Sequence, residues 1–145
     1  MNVPIKTAIC FVLLFGLIAV AQDAHQTVTR TISEAAFTVP VRGAKQYKFA
    51  VPAGVTGVSV EGRFAATGGP RNSIEVWVMS DDQFVNWANR HPLTTIYNSQ
   101  RVTQGTVKIQ LPADAGAYHV VFNNEFSLLT PKAVEASLTL KYARQ

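Results

Sequence analysis

Apolar and polar residues alternate over long stretches of this chain, and that period of two constrains its fold more than any other feature. The clearest example has Val134, Ala136, Leu138, Leu140 and Tyr142 alternating with Glu135, Ser137, Thr139 and Lys141. Successive side chains of a β-strand point to opposite faces, so such a segment buries one face and leaves the other in water. Shorter series recur at 37–41, 47–51, 58–64, 74–78 and 107–111. The pattern predicts an all-β fold, a single antiparallel β-sandwich.

Three turns are predicted from short polar segments between these series. Arg42-Gly43-Ala44 is typical of a hairpin turn, and Asn98-Ser99-Gln100 of another turn. Asn123-Asn124 follows the apolar segment 118–122 and predicts a tight turn, because asparagine tolerates left-handed backbone angles. The stretch 116–142 therefore reads as a buried strand, a turn, a short crossing and a long closing strand.

One short helix is predicted near residues 81–89. The segment Ser80-Asp81-Asp82-Gln83 matches a capping box, in which the serine and glutamine side chains satisfy backbone amides at the helix start. Phe84 and Trp87 are three residues apart and share a helix face. We expect this aromatic face to close one end of the sandwich, near Trp77.

The first 21 residues have the order of a secretory signal peptide. Lys6 precedes the apolar run 8–18, and Ala19-Val20-Ala21 supplies the small residues before a cleavage site at Gln22. The run is shorter than the ~20 residues that a membrane-spanning helix needs. The sequence predicts a cleaved signal at 1–21, a single sandwich domain at 22–145, no membrane span after cleavage, and a secreted or periplasmic location.

Cysteine content and charge exclude several classes of function. Cys10 is the one cysteine and lies within the predicted signal, which excludes disulfides, thiolate zinc sites and cysteine nucleophiles from the mature chain. The net charge of +4 is modest, and the basic residues do not form a block. A nucleic-acid partner is therefore not expected.

The string LPADAGAYHVVFNNEFS, residues 111–127, followed by the closing strand ASLTLKY, resembles the GOLD domain and GOLD-like domains of exported bacterial proteins. GOLD domains are β-sandwiches best known from the p24 cargo receptors of the early secretory pathway. The resemblance implies a GOLD-like or jelly-roll-like sandwich that is used for protein–protein interaction. It departs from those receptors in lacking their disulfide, so cargo sorting is not carried over.

Catalytic and metal-binding motifs are not visible. The histidines His25, His91 and His119 have none of the close spacings that metal-ligand pairs use. Asp81 and Asp82 are adjacent, so on a helix they do not face each other as a general acid and base would. Helix capping explains them better. The sequence predicts a protein that is not an enzyme and needs no metal or cofactor.

The candidate partner-binding residues lie at the predicted helix and directly after it: Asn86, Trp87, Asn89, Arg90 and His91. Aromatic, arginine and asparagine side chains together suit either a protein-binding hot spot or sugar stacking. The alternative is that Phe84 and Trp87 only cover the core. The leading hypothesis is an exported non-enzymatic module for an unknown protein partner. A carbohydrate-binding sandwich, which Trp77, Trp87 and the asparagine-rich loops would serve, is the alternative, and a cryptic hydrolase is a third.

Overall fold

The computed structural model of the protein describes residues 26–69 and 71–144, which form two antiparallel sheets and one short helix. The elements in chain order are β1 (Gln26–Thr31), β2 (Ala36–Val39), β3 (Ala44–Val51), β4 (Val55–Thr67), β5 (Ile74–Ser80), α1 (Asp81–Ala88), β6 (Tyr97–Val102), β7 (Gln104–Gln110), β8 (Gly116–Asn123) and β9 (Lys132–Arg144). The predicted fold class, a β-sandwich with one helix near residues 81–89, is confirmed. The predicted signal peptide lies outside the described residues.

The five-stranded sheet is organised around β9. This strand pairs with β4 along one edge and with β1 and β2, one after the other, along its other edge, while β7 extends the sheet beyond β4. The four-stranded sheet has the order β3-β8-β5-β6. Strands β8 and β5 are thus paired on both edges, whereas β3 and β6 are the edges of their sheet.

The alternating residues pack between the two sheets as the pattern predicts. Val120 and Phe122 of β8 belong to the same buried cluster as Leu138, Leu140 and Tyr142 of β9. Burying a large apolar side chain contributes about 1.5–3 kcal/mol, so the two central strands hold much of the stability of the sandwich. The opposite face of β8 and β5 is also buried in part, and the helix covers it.

Two of the three predicted turns are wrong. The segment Arg42-Gly43-Ala44 does not form a hairpin, because β2 pairs with β9 whereas β3 pairs with β8 in the other sheet. It carries the chain from one sheet to the other. Asn98-Ser99-Gln100 lies within β6, where Gln100 has a φ of 58° and the register against β5 shifts between Glu75 and Trp77. The polar triplet therefore marks a β-bulge, not a chain reversal.

The predicted turn after β8 is present, but asparagine is there for another reason. Asn123 Oδ1 accepts a hydrogen bond from the backbone of Glu125 at 3.1 Å. Asn124 Nδ2 donates to the carbonyls of Pro40, at 3.1 Å, and Thr130, at 3.0 Å. Neither asparagine has a positive φ. Side-chain hydrogen bonds, and not tolerance of left-handed angles, account for the pair.

Candidate functional site

The candidate site is built on α1, whose start is fixed by the predicted capping box. Ser80 Oγ accepts from the backbone amide of Gln83 at 3.3 Å, and Gln83 Oε1 accepts from the backbone amide of Ser80 at 3.0 Å. Asp81 and Asp82 lie in the first turn, where the positive end of the helix dipole favours carboxylates. The first turn therefore has a fixed direction as it leaves β5.

The helix lies over the outer face of the four-stranded sheet. Trp77 and Met79 of β5 and Val121 of β8 form a small buried cluster there, separate from the main core, and Phe84 and Trp87 pack against it. The predicted packing of the aromatic face near Trp77 is confirmed, whereas the prediction that the helix closes one end of the sandwich is wrong. The reason is that β5 is apolar on both faces, so the helix folds back to cover the face that the other sheet does not.

His119, on strand β8 of the sheet, contacts the first turns of α1 and holds the helix on the sheet. It is 3% exposed on β8, and its ring is stacked on Phe84, nearly parallel at a centroid distance of 4.0 Å. Its Nε2 lies 2.7 Å from Asp81 Oδ1, and its Nδ1 lies 2.7 Å from Gln46 Oε1. An ionised carboxylate can only accept, so Nε2 donates to Asp81. Both ring nitrogens lie against protein side chains and the residue is buried, which leaves neither nitrogen open to a substrate.

Asp81 is the charged centre of this contact. Its carboxylate accepts from His119 and lies 3.0 Å from Lys48 Nζ. The hydrogen bond from His119, followed by the hydrogen bond from Lys48, holds the pKa of the Asp81 carboxyl below its usual value. The carboxylate therefore stays ionised at neutral pH and joins the first turn of α1 to β8 and β3.

Acid is expected to loosen α1 through Asp81. A carboxyl whose pKa is lowered by folding stabilises the folded state above its unfolded pKa of about 3.9, and that contribution is lost as pH falls through the lower folded value. Tryptophan emission, which reports on Trp77 and Trp87, should change in this acidic range. Asp81→Asn should remove that component of the titration, and Asp82→Asn, an exposed neighbour, is the matched control. Identical titrations for the two variants would contradict the assignment.

The structure places the predicted binding residues at the end of α1. Trp87 faces the sheet and packs edge to face on Trp77 at a centroid distance of 5.5 Å, while Asn86, Arg90 and His91 are exposed. Asn89 is exposed but has a structural task, because its Nδ2 donates to the carbonyl of Val85 at 2.9 Å and so ends the helix.

Exposed apolar side chains beside these residues were not predicted. Val85 is 48% exposed, Leu93 41% and Ile96 38%. The backbone amide of Ile96 donates to the carbonyl of Val78 at 2.8 Å, which fixes the end of the segment against β5. The sequence feature that could have indicated them is the presence of Leu93 and Ile96 in a segment where apolar and polar residues do not alternate. We call Val85, Asn86, Arg90, His91, Leu93 and Ile96 together the helix surface.

The burial of Trp77 removes one of the two tryptophans that the carbohydrate hypothesis uses for sugar stacking. Trp77 is only 3% exposed, and sugar stacking needs an open aromatic face. Of the two tryptophans, this leaves Trp87 for stacking, and it is half-buried against Trp77 and Phe84. The carbohydrate hypothesis stays a prediction.

Comparisons with known proteins give no family. Neither the models of known protein families nor the sequences of curated proteins gave a match to this chain. The resemblance to GOLD domains therefore stays a prediction. Across residues 26–69 and 71–144, no group of three or more histidine, cysteine or carboxylate side chains is placed to hold a metal ion. Over the same ranges, no helix has the length and apolar character that crossing a membrane requires.

Proposed function

We propose that this protein is an exported, non-enzymatic module that binds a protein partner through the helix surface. The observation that carries the proposal is the exposure of Val85 on the anchored helix and of Leu93 and Ile96 in the segment after it, the stretch of chain that also exposes Arg90. Apolar anchors next to an arginine are the composition of interface hot spots. Export follows from the pattern of the first 21 residues, and the GOLD resemblance adds a fold-level analogy.

The rigidity and the charge of the helix surface indicate what kind of partner surface would fit it. The capping box, the Asp81–His119 contact and the Trp77–Trp87 packing fix α1 before any partner arrives. A fixed surface loses little conformational entropy on binding. Among the described residues, Arg90 has no carboxylate within ion-pair distance. The partner surface that fits is apolar at its centre and carries a carboxylate opposite Arg90.

A site-specific crosslinking experiment tests this proposal in the organism that makes the protein. A photocrosslinking amino acid at Leu93 should give one discrete protein adduct, and the same group at Lys108, exposed on β7 of the other sheet, should give none. Introducing Val85→Asp into the Leu93 probe should abolish the adduct. Equal adducts from both probe positions, or an adduct that survives Val85→Asp, would contradict the proposal.

Binding to the crosslinked protein, once purified, supplies the energetic test. Arg90→Ala should weaken binding by roughly tenfold or more, in the range of hot-spot arginines. Arg63→Ala, an exposed arginine on β4 of the other sheet, is the matched control and should leave affinity unchanged. Thermal unfolding should be the same for both variants, because both side chains are exposed. Equal affinities would remove Arg90 from the interface.

A further inference from the structure

A second surface lies at the opposite end of β5 from α1. Residues of three connections meet there: 40–43, 68–69 with 71–73, and 124–131. Asn124 joins two of them, since its backbone amide donates to the carbonyl of Gly43 at 2.8 Å and its side chain to that of Pro40 at 3.1 Å. The seven residues of β5 place this end about 20 Å from the start of α1.

A cationic pocket with a volume of about 470 Å³ opens between the second and third of these connections, beside the end of β6 and the start of β9. Its walls include Arg71, Arg101 and Lys132, the ring of Phe126, and hydroxyl groups such as those of Thr103 and Thr130. The guanidinium of Arg101 stacks over Phe126 at 4.2 Å from the ring centroid. Stacking in this way leaves the N–H edge of a guanidinium available to an anion. The pocket has the donors of a phosphate site.

Lys132 is a buried cation of the pocket that has no carboxylate partner among the described residues. Lys132 is the first residue of β9, and it is only 3% exposed. Within the described residues its Nζ donates to one acceptor, the carbonyl of Gly68 at 2.7 Å, and neither it nor Arg71 nor Arg101 pairs with a carboxylate. A buried cation without a counter-charge is costly, and a bound anion would remove that cost.

Two leucines project from the loop that forms one wall of the pocket. Leu128 is 61% exposed and Leu129 is 91% exposed. The loop is closed beneath them, because Ser127 Oγ donates to the carbonyl of Thr130 at 2.8 Å and Asn124 Nδ2 donates to the same carbonyl at 3.0 Å. The leucines are therefore held outward by a hydrogen-bonded base.

The connection 40–43 contributes a further exposed apolar residue and a further basic residue to this end of the sandwich. Val41 is 40% exposed, and Arg42 beside it donates its backbone amide to the carbonyl of Ser127 at 3.0 Å. Glu125 is the exposed carboxylate on the loop, and Glu75 accepts from Asn123 nearby. Arginine and lysine thus outnumber carboxylates around an apolar tip.

We propose that this end of the sandwich docks on a bilayer that contains anionic phospholipids. A lipid phosphate occupies the pocket between Arg71, Arg101 and Lys132, and Leu128 and Leu129 enter the edge of the hydrocarbon region. Basic residues at a membrane surface and apolar side chains below it are the two signals that hold peripheral proteins on anionic membranes. An acidic peptide would satisfy the cations but would leave the leucines without a function.

Fluorescence from the loop tip tests the proposal in the full chain. Cys10→Ser and Leu129→Cys leave one cysteine, to which an environment-sensitive dye is attached. Vesicles of phosphatidylcholine with phosphatidylglycerol should shift the dye emission to the blue, and vesicles of phosphatidylcholine alone should not. A dye at Val85→Cys, on the helix surface, is the control position and should not shift. Binding through the apolar N-terminal segment would not require anionic lipid or this dye position, so the uncharged vesicles and the Val85→Cys control separate it from docking by the loop.

The cations are tested in the same labelled chain. Arg71→Gln with Arg101→Gln should weaken the response roughly 30-fold in lipid concentration, since each basic residue near the surface contributes about a factor of five. Arg63→Gln with Lys108→Gln, both exposed on the other sheet, removes the same charge elsewhere and should change it little. An equal shift on uncharged vesicles, equal loss in both double variants, or a response to polyglutamate with none to vesicles would overturn the proposal.

Discussion

Replacing Gly62 with alanine is expected to remove a large part of the free energy of unfolding of the sandwich. Gly62 lies in β4 opposite Leu138 of β9, with a φ of 150°. A Cβ there would lie 1.9 Å from the carbonyl oxygen of Ser137 and 2.8 Å from Leu138 Cα. Both are backbone atoms of the central strand, so the clash is relieved only by separating β4 from β9. We expect a loss of about 4 kcal/mol or more, against a typical total of 5–15 kcal/mol.

Gly57→Ala separates this steric effect from backbone strain. Gly57 also has a positive φ, 60°, but a Cβ there would meet nothing within 4 Å. Its replacement should cost about 1 kcal/mol, the price of a left-handed alanine. Urea unfolding followed by tryptophan emission measures both variants. A Gly62→Ala midpoint close to that of Gly57→Ala would show that the two strands are not in close contact at this point.

Phe122→Ala should have the second largest effect. Phe122 is fully buried in β8, and three rings meet it edge to face: Phe37 at 4.8 Å, Tyr47 at 6.1 Å and Phe64 at 6.3 Å between centroids. These rings come from β2, β3 and β4, so the cavity left by truncation would border both sheets. Truncation of a buried phenylalanine costs about 3–5 kcal/mol.

Two further substitutions are controls for the loss of stability expected of Phe122→Ala. Phe122→Leu keeps most of the apolar volume and should cost about 1–1.5 kcal/mol. Phe126→Ala removes the same ring from the half-buried loop position, where it stacks with Arg101, and should cost less than about 1 kcal/mol. Equal losses for Phe122→Ala and Phe126→Ala in urea unfolding would contradict the placement of Phe122 at the centre of the core.

Alternation predicted which side chains are buried but could not predict which strands pair. Val134, Leu138 and Tyr142 are buried as expected, because a period of two follows directly from strand geometry. The hairpin expected at Arg42-Gly43-Ala44 fails because pairing is decided by contacts far along the chain. Residues 44–51 pair with 116–123, and no local pattern records that choice.

In the candidate site, too, the local features could be predicted from the sequence and the long-range contacts could not. The capping box was readable because its residues are three apart in the sequence, and it is present. The anchoring of α1 depends on His119 and Lys48, which lie far from Asp81 in the chain and meet its carboxylate only after β3 and β8 have paired. The exposure of Leu93 and the burial of Lys132 also depend on how the connections fold back.

The position of β9 sets the order in which the five-stranded sheet can form during synthesis. Strands β1, β2 and β4 all pair with residues 132–144, which the ribosome makes after every other strand. At 5–20 residues per second, β1 waits roughly 5–20 s for its partner strand. Throughout that interval the nascent chain lacks the centre of one sheet and cannot close the sandwich. The four-stranded sheet contains no residue of β9 and has all of its strands once Asn123 is made, so the five-stranded sheet is the later of the two to be completed.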